Sequence, residues 1–325
     1  MRYLLRRVGF YLVTAWAALT LNFLIPRFMP GNPVELLISH FKGRISPAAV
    51  KSLSALFGVG HQSMFSQYLV YWNDLFHGNL GVSFTYFPSP VSSVVMSALP
   101  WTLVLVGVAT VISFVIGTMA GIVVGARRGS WMDNALPIST FFSAIPYFWF
   151  ALVILYFFAV KLPWFPLSGG YSSSNTIGWN WAFIASAGDH AVLPAVTIVA
   201  TSIAGWLLGM RNMMIVTLDE DYILLAEAKG LSKMRVNFIY AARNAILPSL
   251  ASFALSLGFV VSGAILVEIV FSYPGIGYVL YAAVNNNDYP LMQGVFLIIT
   301  LAVLAANIVA DVFYVLLDPR TRQGA

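Results

Sequence analysis

The sequence predicts an all-helical, polytopic membrane protein with six transmembrane helices, and three observations support this. Of its 325 residues, 59% are hydrophobic and only 9% charged, where a soluble domain carries roughly 25% charged residues. The apolar residues gather into long runs, most of them close to the roughly 20 residues a helix needs to cross the hydrocarbon core. Those runs hold almost no ionisable groups, so the 17 Lys+Arg and 12 Asp+Glu fall largely between them.

The chain opens with Arg2, Arg6 and Arg7, followed by an apolar run at 8–25. A basic start and an apolar core also describe a signal peptide. This run, however, is about long enough to span and ends at Pro26 and Arg27 with no small-residue cleavage site, so 1–27 reads as an uncleaved anchor. Segment 28–99 contains Pro30, Gly31, Asn32, Pro33, scattered charges and the run QSMFSQYLVYWNDLFHGNLG. It is too polar to span and too long for a tight loop, and it reads as a helical extracytoplasmic segment. Region 100–325 holds five more spans, expected at 101–124, 136–160, 193–208, 247–270 and 291–316. Between the third and fourth, 169–189 is rich in Gly, Ser, Asn and Trp and reads as a connection.

Six spans place both termini on one side. Arg2, Arg6, Arg7, Arg127, Arg128, Arg211, Lys229, Lys233, Arg235, Arg243, Arg320 and Arg322 share that side. The opposite side carries Arg27, Lys42, Arg44 and Lys51 in its long first segment, and Lys161. Long loops weigh little in the positive-inside rule, so the first set, and both termini, are expected in the cytoplasm.

No phosphate-binding loop, HExxH or clustered metal-ligand pattern occurs, and no basic-aromatic pattern suits nucleic acid. The absence of cysteine excludes disulfides and thiolate chemistry. His40, His61, His77 and His190 are isolated and read as surface or capping residues. Within the spans, Glu268 and Asp311 are candidate proton or ion sites, or carboxylates held by helix N–H groups and hydroxyls. Ser143, Thr201, Ser256 and Asn307 are candidates to line a translocation path, though such groups commonly make helix-packing hydrogen bonds. The chain therefore reads as a transport pathway without its own energy source, not an enzyme, and it is expected to bind no cofactor itself.

The segment suited to receive energy from a partner is 219–248, which overlaps the cytoplasmic coupling loop expected at 211–246. Asp219, Glu220 and Asp221 open a short helix, Gly230 stops it, and Ser232 can cap the next. On the first helix Tyr222, Leu225, Ala226 and Lys229 fall on one face that fits a groove. A surface helix on anionic lipid is the alternative, but Asp219, Glu220, Asp221 and Glu227 against Lys229 have the wrong sign for it.

At this point the chain resembles the membrane subunits of binding-protein-dependent ABC importers, in the dipeptide/oligopeptide/nickel permease branch and the first type of its paired permeases. The segment DYILLAEAKGLSKMRVNFIYAARNAILP is similar to that family's EAA loop, with Asp221, Tyr222, Ala226, Ala228, Lys229, Gly230, Leu231, Arg243, Asn244, Leu247 and Pro248 on the motif. Leu224 and Leu225 stand where the general pattern has Glu and Ala; Glu227 is the candidate to replace that glutamate. MPGNPVELL, ARRGSWMDN, LPWFPLSGG, FSYPGIG and DVFYVLLDPRTR extend the likeness over nearly the whole chain. The resemblance implies a type I ABC importer permease fold in a bacterial or archaeal cytoplasmic membrane. It also implies a second homologous permease, two ATPase subunits carrying ATP and Mg, and an extracytoplasmic substrate-binding protein. Asp221, Tyr222, Ala226, Glu227, Lys229, Gly230 and Leu231 would then couple to the ATPase. Glu268, Tyr273, Pro274, Gly275 and Gly277 would form an outer gate or only a joining loop. Peptides lead as substrates, followed by oligosaccharides and nickel complexes. The competing class is an ion-coupled secondary transporter working through Glu268 or Asp311.

Overall fold

The computed structural model describes residues 2–29, 63–262 and 264–317, with side chains for 9–29, 63–141, 144–261 and 264–309. MPGNPVELL beyond Met29 and the end of DVFYVLLDPRTR lie outside the described residues. Ser143 and Asp311 stand on described helices, but their side chains lie outside that set.

In order, the helices are α1 (Arg2–Arg27), α2 (Met64–Phe76), α3 (Val91–Gly125), α4 (Trp131–Asn134), α5 (Leu136–Ala144) and α6 (Tyr147–Leu155), which runs into a π turn at Tyr156–Lys161. There follow α7 (Trp181–Leu218), α8 (Asp221–Ala228), α9 (Lys233–Arg235), a π turn at Val236–Ala241, and α10 (Ala242–Ala245). The rest are α11 (Leu247–Phe259), a 3-10 turn at Val260–Ser262, α12 (Ile265–Val270), α13 (Ile276–Asn285) and α14 (Tyr289–Leu317). Helices and their turns dominate the described residues, and no strand longer than the isolated Val82 to Pro90 bridge occurs among them.

Among the described residues, four helices are long and apolar enough to cross a membrane: Gly9–Arg27, Val91–Gly125, Trp181–Leu218 and Tyr289–Val309. The pair Lys233–Ala245 and Leu247–Phe259, bent by 49°, passes the same test only when taken together, as a broken span or a re-entrant loop. The expected third span, 136–160, is divided into α5 and α6 at Ile145 and Pro146, because proline cannot donate to the helix ladder and disfavours helical backbone before it. The expected fifth span, 247–270, is interrupted after Phe259. The expected fourth, 193–208, is the middle of a 38-residue helix. Asn180 caps that helix by accepting from Phe183 N at 2.8 Å, so Asp189 and His190 lie on it and not in a connection. Along α3, Val104, Val108, Val115 and Met119 are half exposed or more. This is the surface of a helix meant for hydrocarbon.

The chain divides into two units, 1–100 with 275–304, and 101–274 with 305–325. In the first, Phe23, Val91, Val95, Ile276, Leu291 and Met292 are fully buried. Its buried carboxylate, Asp288, accepts from Ser83 Oγ at 2.5 Å, Thr85 N at 2.8 Å and Leu291 N at 3.1 Å, capping α14. In the second unit, one core joins α3, α6, α7 and α12 around Leu105, Ile154, Leu193, Val267 and Tyr273. A second core lies at the Gly125 end of α3 around Met210, Met214, Ile223, Ala226 and Val236.

Candidate functional site

Gly117, Gly121 and Gly125 recur every fourth residue on α3 and lie directly against α7. A Cβ on Gly121 would sit 2.6 Å from Leu207 O, and one on Gly125 would sit 2.6 Å from Met214 Cβ. Only glycine admits so close a backbone approach. The tight crossing fixes Met210 and Met214, both fully buried, as the floor on which the 219–246 segment rests.

Two ion pairs then secure the end of α7. Arg211 donates to Asp133 Oδ1 from Nη2 at 2.8 Å and Nε at 3.1 Å. Gly129 N also donates to Asp133, at 3.0 Å. That backbone bond, followed by Arg211, holds the Asp133 carboxyl below its ordinary value. Arg128 bridges Ile215 O and Asp219 Oδ2, at 2.5 and 3.1 Å. Asp219 is therefore the C-cap of α7, not the start of the next helix. Glu220 holds the N-cap position of α8 without a side-chain bond, and Asp221 is the acid in its first turn.

α8 ends as its sequence predicts. Gly230 takes φ +74°; its N donates to Glu227 O at 2.8 Å, while Leu231 N donates to Ala226 O at 3.3 Å. This paired pattern satisfies two of the helix's last carbonyls, and the half-buried Leu231 packs on the same core as Ala226. Ser232 occupies the following N-cap position but makes no side-chain capping bond.

The presented face differs from the expected one. Ile223 and Ala226 are buried, at 2% and 3% exposure, against Met210, Met214, Val236 and three alanines of the next helical stretch. Ala226 is thus a contact within the chain, and its small size permits the approach. The outward residues are Leu224, 70% exposed, and Leu225, 56% exposed, with Asp221, Glu227 and Lys229 beside them. Tyr222 is partly exposed and is tethered by Asn244, whose Nδ2 donates to its hydroxyl at 2.9 Å.

The outer-gate candidates fall in both units. In one, Glu268 is fully buried and accepts from Thr102 Oγ1 at 2.8 Å. Tyr273, also buried, returns its N to Glu268 O at 2.8 Å. Burial, then the nearby Glu268, pushes the Tyr273 hydroxyl up. Trp101 stacks on Tyr171 and meets Tyr273 edge-on. A Cβ on Gly170 would sit 2.7 Å from Pro274. In the other unit Gly275 is the N-cap of α13 and Gly277 lies inside that helix, so Gly277 is not part of a joining loop. The left-handed residue of the turn is Ser272, at φ 47°.

Among path candidates, Thr201 donates to Thr197 O at 2.9 Å and Ser256 to Phe253 O at 2.7 Å, each within its own helix; Asn307 is half buried on α14. Sequence reasoning missed Asp288, the Asp133 to Arg211 pair and the glycine ladder. The every-fourth spacing of Gly117, Gly121 and Gly125 was the available signal for the last of these. No group of three or more metal-binding side chains occurs among the described residues.

The model of the family described as "Binding-protein-dependent transport system inner membrane component" matches residues 117–323, which include the whole 219–248 segment. The chain is 33% identical to the di/tripeptide transport system permease protein of Pseudomonas aeruginosa, over 98% of each chain. It is 31% identical to the oligopeptide transport system permease protein of Bacillus subtilis (98% of each) and 31% identical to the dipeptide transport system permease protein of Escherichia coli (99% of each). With its apolar spans and this end-to-end likeness, the chain belongs to the family of inner membrane components of binding-protein-dependent transport systems.

Proposed function

We propose that the chain forms one half of the translocation pathway of an ATP-driven peptide importer, with the 219–231 stretch, built on α8, seating in a cytoplasmic ATPase. The observation that carries this reading is a short helix fixed at both ends, backed by a buried core, that turns two leucines outward. An isolated eight-residue helix is unstable in water. Here it is held by Ile223 and Ala226 on one side and stopped by the Gly230 turn, so it can transmit force as a rigid peg. Peptides are favoured as cargo because relatives aligned over the full chain are named for di/tripeptide, oligopeptide and dipeptide transport.

In this mechanism ATP and Mg are bound by two ATPase subunits and none by this chain. A second permease completes the pathway, a binding protein delivers substrate from outside, and both termini face the cytoplasm. Because Leu224 replaces the glutamate of the general motif, the contact at that position is apolar, and Glu227 supplies the nearest carboxylate. Closure of the ATPases would push α8, and through Met210 and Met214 would move α7 against α3.

Co-purification tests the reading. Wild-type protein in detergent is expected to bring down an ATPase pair and a second permease, and to support peptide-stimulated hydrolysis. Gly230→Trp, which places an indole where a Cβ meets nothing within 4 Å and strains a φ of +74°, should uncouple hydrolysis from uptake. A wild-type chain that purifies alone and moves solute without ATP would refute the proposal.

A further inference from the structure

We infer that α2 is an interfacial helix, lying in the bilayer at the Arg27 end of the first span with Phe65, Leu69 and Phe76 among the acyl chains. Phe65, Leu69, Trp72 and Phe76 recur at i, i+4, i+7 and i+11, which places them in one stripe, while Asp74 falls on the opposite side from Phe65. Within the helix Asp74 is the only charged residue.

A different flank seats α2 on α1. Arg27 Nε donates to Gln67 Oε1 at 3.0 Å, the Tyr68 hydroxyl bonds Thr20 Oγ1 at 2.8 Å, and the Tyr68 and Tyr71 rings lie 5.1 and 5.5 Å from Phe23. The stripe is not used in that contact: Phe65 is 69%, Leu69 54% and Phe76 80% exposed.

Depth follows from contacts within the same unit. Asn22 donates to Gln293 O at 2.9 Å, so the first turns of α14 are level with Asn22. Just beyond α2, Leu80 would meet a Cβ on Gly294 at 3.8 Å, and a Cβ on Gly81 would meet Pro290 at 3.6 Å. Both the entry to α2 and its exit therefore lie level with the last two turns of α1. A helix of 13 residues is about 20 Å long. Standing along α1, it would end near the middle of the span; instead Tyr68 and Tyr71, one turn apart, both meet Phe23, and the chain four residues past the helix is at the height of Gln67 near its start, so the axis crosses α1 close to the membrane plane.

The occupant of the exposed stripe is lipid. At this height α1 exposes Leu21 and Ile25, a surface that belongs to a segment apolar enough to cross the bilayer, with Phe28 exposed in the turn just after it, and the stripe continues it sideways. An aromatic-rich apolar face on a helix in the membrane plane partitions into the boundary between headgroups and acyl chains.

The chain has no cysteine, so single-site labelling is direct. Nitroxide labels on Phe65→Cys, Leu69→Cys, Phe76→Cys and Asp74→Cys would be read in full-length protein reconstituted into phosphatidylethanolamine and phosphatidylglycerol nanodiscs. Collision with oxygen should exceed collision with a water-soluble nickel chelate several-fold at 65, 69 and 76, and the order should reverse at 74. Nickel-chelate preference at the three stripe positions would place them in water and overturn the inference. Exclusion of both reagents would mean a protein covers the stripe and would overturn it equally. Neither result depends on whether an ATPase binds.

Discussion

A left-handed residue follows a helix end at Gly230, within 219–232, and again at Ser272, within 271–275, and the two turns are built in opposite ways. The first uses a glycine at φ +74° with open space around it, and it leaves Leu224, Leu225, Glu227 and Lys229 in the open. The second uses Ser272 at φ 47°, and it encloses Glu268, Phe271 and Tyr273 completely. Both are held by backbone bonds that end a helix. A turn that buries its large side chains inside the chain suits the chain's own architecture, whereas one that presents apolar side chains from a rigid mount suits the partner proposed above. The difference separates residues expected to affect stability from those expected to affect coupling.

The largest expected effect comes from the support beneath the open turn. Gly121→Leu would drive a side chain into the α7 backbone at Leu207 and should cost about 3 kcal/mol, read as a large fall in melting temperature in detergent. Gly188→Leu, where a Cβ meets nothing within 4 Å, is the control and should melt as wild type. At the closed turn, Glu268→Ala leaves the Thr102 hydroxyl without its carboxylate and should destabilise by about 1–3 kcal/mol. Glu268→Gln should keep uptake and its pH profile. Lost uptake at an unchanged melting temperature would instead assign Glu268 an ion-coupling role and break the comparison.

Smaller effects sharpen it. Gly230→Ala should destabilise the open turn by about 1–2 kcal/mol, and Ser272→Gly should stabilise the closed one by about 1 kcal/mol, since the left-handed region penalises a Cβ. The smallest effect is acidic. Because the folded Asp133 carboxyl titrates below its ordinary 3.8, its contribution is fully present above 3.8 and is lost as pH falls through the folded value. Asp133→Asn should therefore flatten the acid limb of the melting-temperature profile and leave the neutral region nearly unchanged.

Much of the 219–248 segment was legible in the sequence. Gly230 as a left-handed stop and the break before Ser232 follow from local chemistry alone. The outward face did not, because spacing places Tyr222, Leu225 and Ala226 on one arc but does not say which arc meets Met210 and Met214. The core decides that, and it takes Ile223 and Ala226. Asp219 was misplaced for a similar reason: its partner Arg128 is 91 positions away in the chain. The membrane-crossing helices were visible, but their ends were not. α7 continues to Leu218 because nothing in 209–218 breaks a helix, while Pro146 divides a run that hydropathy alone reads as continuous. Asp288 escaped notice because its partners, Ser83 and Thr85, lie about 200 residues away.

The central claim, that the open turn is a partner surface, is tested most directly by the affinity of the purified ATPase for this chain within the assembled permease. The comparison is between wild type, the double variant Leu224→Asp with Leu225→Asp, and Glu268→Ala. The double variant should melt as wild type yet bind the ATPase at least about tenfold more weakly, roughly 1.4 kcal/mol, while Glu268→Ala should melt lower and bind normally when folded. Unchanged ATPase binding by the double variant would contradict the claim.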